Sequence, residues 1–191
     1  MTVKDKKSTF FFRNLLRGLI WLVVIIVVFW FLKNKVDVNY LAWLEPVYTN
    51  SAIVILIYTI SEILIGIIPP EVFMIWALQN GSVVTYAMLI LMLAVLSYLA
   101  GLIGYFFGRY LNTTLLYRFI RRKFLKKMER MLNLYGLYII IVAALTPLPF
   151  SGVSMLVGSV KYPLKKYILY SLFRFARFAI YSWFIWEANA F

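Results

Sequence analysis

The sequence predicts an all-α integral membrane protein that contains an inverted repeat of two opposed re-entrant helical hairpins. Each hairpin is followed by a transmembrane helix, and an N-terminal anchor helix precedes the repeat. Of the 191 residues, 64% are hydrophobic and only 14% are charged, which is more apolar surface than a soluble domain of this length can bury. Two apolar stretches, 60–80 and 137–160, are interrupted by prolines. Interrupted segments in both halves of a membrane protein are typical of a site near the bilayer midplane.

The composition excludes several classes of chemistry. The chain has no cysteine and no histidine, which excludes disulfides, thiol or Ser/His nucleophiles, His-ligated haem and ordinary zinc sites. We therefore expect no metal and no cofactor. The net charge is +13, and the basic residues lie beside apolar segments. This arrangement favours anionic lipid headgroups as partners over nucleic acid, for which no recognition motif is present. Homo-oligomer formation stays open.

The N-terminal region is interpreted as a basic cytoplasmic segment, 1–17, followed by an anchor helix, 18–32. A basic segment before an apolar stretch is also typical of a signal peptide. However, Trp21 and Trp30 are bulky, Lys33 follows the apolar stretch directly, and no small-x-small cleavage site is present. We therefore expect the helix to be retained.

Three of the remaining apolar segments are long enough to cross a bilayer, which requires about 20 helical residues. These three are Val47–Ile68, Val83–Leu111 and Tyr167–Trp186. The other apolar segments are too short to cross alone; they are 71–80, 137–145 and 153–160.

Charge decides between topologies, because cytoplasmic loops carry an excess of Lys and Arg. The basic segments 118–130 and 161–166 are expected on the cytoplasmic side, together with the N-terminus. A single crossing by 47–80 would put 118–130 outside, whereas a hairpin that enters from outside and returns keeps it inside. By the same reasoning, 137–160 is predicted to enter from the inside and return.

The hairpin tips are predicted at Pro69 and Pro70 in the first hairpin and at Pro147 and Pro149 in the second. Proline lacks an N–H group and interrupts a helix, so nearby backbone groups lose their helical partners. Lipid cannot satisfy these groups. The tips should therefore be buried in protein or line a wet cavity within a membrane domain that extends over 47–186. The alternative is two ordinary helices with proline kinks.

Five charged residues are candidates for binding a substrate or an ion. Glu62 and Glu71 lie on either side of the first proline break, Arg174 and Arg177 lie inside the last span, and Arg109 ends the preceding span. A charge at the bilayer centre costs about 2.5–3.5 kcal/mol, so it usually faces a partner or a cavity. We predict that the two carboxylates face the arginines of the last helix. In the alternative, Glu71 is solvated at the outer surface and the arginines only stabilise packing.

Three glycines, Gly101, Gly104 and Gly108, follow one another at steps of three and four residues in the span Val83–Leu111. Small residues at this spacing allow membrane helices to approach closely. Close helix packing is the preferred interpretation, and a groove for lipid is the alternative.

The segment 114–135 is predicted to form a basic amphipathic helix on the cytoplasmic leaflet. Apolar residues recur at three- and four-residue steps between Tyr117 and Tyr135, and basic residues recur every four residues from Arg118 to Arg130. Its expected role is to fix the orientation of the protein, and gathering anionic lipid is the alternative.

Several short motifs follow one another in the order found in a known membrane-protein family. In chain order they are Glu62, Pro69-Pro70-Glu71, Gly104-Tyr105-Phe106-Phe107-Gly108-Arg109, Tyr135-Gly136, Thr146-Pro147-Leu148-Pro149 and Gly158. From about residue 47 to 186, the chain resembles the DedA / VTT-domain (SNARE-associated Golgi protein) family. The resemblance implies opposed re-entrant hairpins and lipid translocation. Bacterial members are associated with the return of polyprenyl-phosphate carriers, and eukaryotic relatives with phospholipid scrambling.

The chain also departs from the family pattern. The acidic residues of the family's first hairpin map onto Glu62 and Glu71, but many bacterial members carry arginines where this chain has Ala144 and Phe150. An acidic residue often found in the family is replaced by Gly101. As a hypothesis, the two arginines of the last helix supply the missing positive charge.

The function expected from these features is lipid translocation between bilayer leaflets, as in a flippase or scramblase, with polyprenyl phosphate or a phospholipid as cargo. The sequence has no G-x-x-x-x-G-K-[ST] motif, so transport is expected to be downhill or ion-coupled. We expect no enzymatic activity and a multi-pass location in a bacterial inner membrane. The alternatives are a membrane scaffold or assembly protein and, less favoured, an enzyme that processes lipid phosphates.

Overall fold

A computed structural model describes residues 49–64, 66, 68–79, 82–111, 138–146 and 148–190, with Leu16, Ile20, Val24 and Val27. Every regular element between residues 49 and 190 in these ranges is an α-helix. The helices are α1 (Ser51–Ile63), α2 (Pro70–Leu78), α3 (Val83–Leu111), α4 (138–145), α5 (Phe150–Ser159), α6 (Leu164–Ser171) and α7 (Phe173–Ala190). The predicted all-α class is therefore confirmed.

Within the described ranges, two helical segments are long and apolar enough to cross a membrane. One is α3, with 29 residues, and the other runs from Leu164 to Glu187 through α6 and α7, with 24 residues. In the second segment, only Leu172 interrupts the helical assignment. The spans predicted at 83–111 and 167–186 coincide with these two segments.

The apolar stretch Val47–Ile68, which is long enough to span a bilayer, does not form one continuous helix. The observed helix α1 has 13 residues, which extend over only about 20 Å. It begins at the N-cap Asn50, whose side chain accepts hydrogen bonds from the backbone N–H groups of Ala52 and Ile53. It ends at Ile63 because Gly66 adopts a left-handed φ of 69°, which no regular helix can include.

The first break is held together by Ser61 in the last turn of α1. The Ser61 carbonyl accepts a hydrogen bond from the Gly66 N–H at 2.7 Å, and its Oγ accepts one from the Ile68 N–H at 2.9 Å. Pro69 then precedes Pro70, which occupies the first turn of α2, where a missing N–H costs nothing. Protein groups therefore satisfy the interrupted backbone at this break.

The second break repeats the same order of elements. Helix α4 is followed by the buried Thr146, and Pro149 is the N-cap of α5. In each unit a helix, a proline break and a short helix of 9 or 10 residues precede a turn and a long helical segment. The order of elements is thus similar in the two units, while the inverted repeat and the insertion of the two units from opposite membrane faces stay predictions.

Helix α3 lies at the centre of the described structure. Its N-terminal half packs with α1, α2 and α7 in one apolar cluster that includes Leu93 and Phe178. Its C-terminal half packs with α4, α5 and α6 in a second cluster that includes Tyr105 and Phe150. Ser97 lies on α3 between the two clusters.

The predicted close packing at the glycines is confirmed, and the partner helix is α5. A Cβ atom on Gly104 would lie 2.7 Å from the Ser151 carbonyl oxygen, and one on Gly108 would lie 1.9 Å from that of Met155. In the same way, a Cβ atom on Gly158 of α5 would collide with the Tyr105 carbonyl oxygen. At Gly101 the space for a side chain is taken by the Phe150 ring. The two backbones are thus in direct contact.

Some predicted segments lie outside the described residues. They include the basic segment 1–17 apart from Leu16, which is helical and exposed, together with the amphipathic helix 114–135 and the tip residue Pro147. Of the anchor helix 18–32, only Ile20, Val24 and Val27 are described, and all three are helical and exposed.

We expect Gly108→Ala to destabilise the protein, because the new methyl group meets a backbone carbonyl that cannot move away cheaply. Overpacking of this kind costs about 1–3 kcal/mol in free energy of unfolding. Thermal unfolding of the purified protein in detergent, followed by tryptophan fluorescence, measures the change. The matched control is Ile103→Ala, at an exposed position of the same helix. Equal melting temperatures for both variants would contradict the packing described.

Candidate functional site

Four charged side chains are buried together at the junction of the two apolar clusters. Glu62 comes from the end of α1, Glu71 from the first turn of α2, and Arg174 and Arg177 from α7. The exposed fraction is 1% for Glu62, Arg174 and Arg177 and 4% for Glu71. Groups of this kind are almost never buried unless they are paired.

The first ion pair joins Glu62 to Arg174 and includes a serine. Arg174 Nη2 donates to Glu62 Oε2 at 2.7 Å, and Ser97 Oγ donates to the same oxygen at 2.5 Å. Arg174 Nε in turn donates to Ser97 Oγ. The Ser151 hydroxyl donates to the backbone carbonyl of Glu62. Because these residues come from α1, α3, α5 and α7, this network ties four helices together.

The second ion pair joins the two proline breaks. Arg177 Nη2 donates to Glu71 Oε1 at 2.5 Å, and its Nη1 donates to the Thr146 carbonyl at 2.7 Å. Glu71 lies in the first turn of α2, where the helix dipole stabilises a negative charge. Thr146 directly follows α4, where a carbonyl has no intrahelical partner. One guanidinium therefore pairs with a buried carboxylate of the first unit and with a buried helix-end carbonyl of the second.

Aromatic rings lie close to both guanidinium groups, two at Arg174 and one at Arg177. The Arg174 Cζ atom lies 4.5 Å from the centroid of the Phe150 ring and 5.7 Å from that of Phe178. The Arg177 Cζ atom lies 5.0 Å from the Tyr181 ring. Cation–π contacts are strongest where water is excluded. The rings therefore help to stabilise the two cations away from solvent.

The structure also shows what occupies the two positions, 144 and 150, at which many bacterial members of the family resembled here carry arginines. Phe150 occupies one of those positions and stacks on Arg174, and Ala144 occupies the other and is fully buried. The two guanidinium groups of α7 lie beside the second break, as the hypothesis of replacement requires. Whether they perform the same task stays a prediction.

Three polar atoms of this cluster have no hydrogen-bond partner among the residues that the structure describes. They are Glu71 Oε2, Arg174 Nη1 and Arg177 Nε. A buried polar group without a partner costs about 1–3 kcal/mol, and more when it is charged. Each arginine thus keeps at least one N–H group that can donate to a further acceptor, and Glu71 keeps one oxygen that can accept a hydrogen bond or a proton.

The fifth candidate, Arg109, lies apart from this cluster. It is exposed, and its Nη1 donates to the Tyr105 hydroxyl at 3.4 Å. The position of Arg109 on α3 is 12 residues from Ser97, or about 18 Å along the helix axis. The predicted pairing of Glu62 and Glu71 with the arginines of the last helix is present, whereas Arg109 is not brought to the same place. Among the described residues, no group of three or more acidic side chains is placed to hold a metal ion.

Sequence reasoning missed the polar partners of these ion pairs. Ser97 precedes Gly101 by one helical turn, so it extends the small-residue spacing and could have been found as its polar member. The roles of the Thr146 carbonyl and the Ser151 hydroxyl have no comparable signal in the sequence, because both depend on tertiary packing.

The comparison with known families agrees with this architecture. A family model for the VTT domain matches residues 68–187, which include α2 to α6 and most of α7. The matched region contains Glu71, Arg174 and Arg177, and Glu62 lies just before it. No curated protein and no solved structure gives a significant match. Because the match covers more than half of the chain, this protein belongs to the VTT-domain family, the DedA / SNARE-associated Golgi type of membrane protein.

Proposed function

We propose that this protein moves lipids between the two leaflets of a membrane, as a flippase or scramblase does. The observation that carries the proposal is the pair of arginines in α7. Both are fully buried, both bind carboxylates of the first unit, and each retains an N–H group without a partner. Guanidinium groups match the geometry of phosphate oxygens, which supports a lipid phosphate as the ligand.

The depth of the cluster supports a site at the bilayer midplane. Ser97 is the central residue of the 29-residue α3. The midpoint of the 24-residue segment Leu164–Glu187 falls between Arg174 and Arg177. If both segments cross the hydrocarbon core, which is about 30 Å thick, the four charged groups lie near its centre. A headgroup in transit meets its highest barrier at this depth, so polar groups here lower that barrier most.

Charge balance suggests how the site exchanges ligands. Two carboxylates and two guanidinium groups sum to zero when all four are ionised. A phosphate that enters this low-dielectric cluster adds an uncompensated negative charge, which protonation of one carboxylate removes. Glu71 suits this role because its Oε2 has no partner. In this mechanism, phosphate takes over the free donors of Arg174 and Arg177 while Glu71 carries the coupling proton.

The proposal includes the finer topology. The first unit enters from the outside and returns, the second does the same from the inside, and the N-terminus is cytoplasmic in a bacterial inner membrane. This arrangement keeps the basic residues of the 161–166 segment inside, as the charge rule requires. It also puts the two breaks, which Arg177 joins, at the same depth.

A scaffold in which the same ion pairs only stabilise packing is the competing interpretation. The three unpartnered atoms favour transport, because a purely structural cluster gains most stability when every buried donor and acceptor is satisfied. The experiments below distinguish the two.

Arg174→Gln combined with Arg177→Gln should slow leaflet exchange by about tenfold or more, since each bond to a charged group contributes about 1.5–3 kcal/mol. Fluorescent phosphatidylglycerol and polyprenyl phosphate in proteoliposomes, read by dithionite quenching, give the rate. Arg177→Lys retains the charge but loses the fork of donors, so it should fold and still transport slowly. The control removes two exposed charges, Lys165→Gln with Lys166→Gln. Unchanged exchange in folded arginine variants would refute the proposal.

Glu62→Gln should lower the free energy of unfolding by about 3–5 kcal/mol, because it leaves Arg174 buried without a counter-ion. Glu62→Gln with Arg174→Gln should recover most of this stability without restoring exchange. Detergent melting curves and the exchange assay separate the two effects, with the exposed Glu187→Gln as control. Wild-type exchange in the neutral double variant would favour the scaffold.

Single cysteines at Gln79 and Lys161 should be labelled from opposite sides of the membrane. Both positions are exposed, and the chain contains no native cysteine, so the labelling is unambiguous. An impermeant maleimide should modify Gln79→Cys in intact cells but Lys161→Cys only after permeabilisation. As a control, Lys166→Cys should give the same labelling pattern as Lys161→Cys. Labelling of positions 79 and 161 from the same side would rule out the opposed hairpins.

A further inference from the structure

An open apolar groove runs between α3 and α7 and does not belong to the charged cluster. It has a volume of about 550 Å³, within the range of roughly 300–1,000 Å³ that small-molecule sites occupy. Its walls come from residues 83–94 of α3 and 175–186 of α7 at steps of three and four residues. Ala87 and Ala179 face the groove and are exposed, so small side chains create its width.

The groove has the length of one leaflet. The 11-residue step from Val83 to Ala94 corresponds to roughly 16 Å along α3, about half of a hydrocarbon core of about 30 Å. Trp183 and Trp186 line its outer part, near the end of the spanning segment, where tryptophan is common at the membrane interface. A single extended hydrocarbon chain fits a groove of this length and composition.

The inner end of the groove reaches the charged cluster. Ala94 lines the groove and lies one turn before Ser97, which binds Glu62 and Arg174. Phe178 also lines the groove, and its ring lies 5.7 Å from the Arg174 guanidinium carbon. Phe178 therefore borders both the apolar groove and a cation that keeps an N–H group without a partner among the described residues.

We propose that the groove binds one hydrocarbon chain of a phosphate-bearing lipid while the phosphate of that lipid occupies Arg174 and Arg177. The inference rests on the proposed function and adds to it a second subsite for the tail. In this arrangement the Phe178 ring lies beside the junction of the lipid's phosphate head and its hydrocarbon tail. The apolar walls, the one-leaflet length and the unpartnered arginine N–H groups at the inner end together favour a lipid with an anionic head over one without it.

Photolabelling tests the subsite without relying on transport. The protein is reconstituted in phosphatidylcholine vesicles that contain a small fraction of phosphatidic acid with a diazirine on one chain. Matched vesicles contain diacylglycerol with the same labelled chain and no phosphate. Mass spectrometry of the adducts should find groove residues labelled several-fold more by the phosphatidic acid probe. Equal labelling by both probes would mean that bulk lipid alone fills the groove, and it would overturn the proposal.

Filling the groove provides the matched variants. Ala87→Phe with Ala179→Phe occupies the groove from both walls, whereas Ala176→Phe adds the same ring at an exposed position of α7 outside the groove. The groove-filled variant should lose the excess labelling and exchange phosphatidic acid at least about fivefold more slowly, and Ala176→Phe should keep both. Retained excess labelling in the groove-filled variant would overturn the proposal, as would wild-type exchange by that variant.

The same measurements separate this proposal from the proposed function. Preferential labelling by phosphatidic acid in a wild-type protein that exchanges no lipid would support the tail subsite and refute translocation. Equal rates of lipid exchange by the wild-type protein and the groove-filled variant would support translocation and refute the subsite. Labelling of the groove by neither probe would mean that a protein segment covers it, which also refutes the subsite.

Discussion

The structure depends on the burial of two guanidinium groups inside an apolar helical bundle. A cation without partners at such a site is costly, and removing one partner of a buried ion pair typically costs about 3–5 kcal/mol. Arg174 and Arg177 therefore require acceptors from every neighbouring element. Arg174 obtains them from α1 and α3, and Arg177 from the start of α2 and the end of α4. The two interrupted units meet at α7 because their polar ends are the acceptors that these cations need.

Close contact between α3 and α5 is the geometric condition for this arrangement. Side chains at Gly104 and Gly108 would collide with backbone carbonyls of α5, so the two helices approach only because those positions have none. At this distance the Ser151 hydroxyl of α5 reaches the Glu62 carbonyl, and the Phe150 ring lies beside Arg174. The glycines are thus not part of the charged cluster, but the close helix packing that they allow brings Ser151 and Phe150 into contact with it.

Local signals in the sequence predicted much of the fold. The long apolar run fixed the bounds of α3, and the prolines located both breaks. The pairing of Glu62 and Glu71 with the two arginines followed from the cost of burying charge. Hydropathy alone could not show that the apolar stretch Val47–Ile68 contains a helix of only 13 residues, because the left-handed Gly66 that follows this helix leaves the hydropathy of the stretch almost unchanged. The small-residue spacing on α3 could have pointed to Ser97, but its bonds to Glu62 and Arg174 join residues distant in the chain and could not be predicted from a single sequence.

The position of the arginines on α7 has a mechanical consequence. A cation at a proline break can move with a short segment of chain, whereas Arg177 belongs to the regular helix α7 and holds Glu71 and the Thr146 carbonyl at the same time. In the proposed mechanism, a phosphate that binds the free Nε–H of this guanidinium also weakens its bonds to Glu71 and to the Thr146 carbonyl. One binding event is then felt at the breaks of both units, because a single side chain joins them. Coupling through a shared cation needs no large movement of the spanning helices, and it makes Arg177 the residue through which the two halves respond as one.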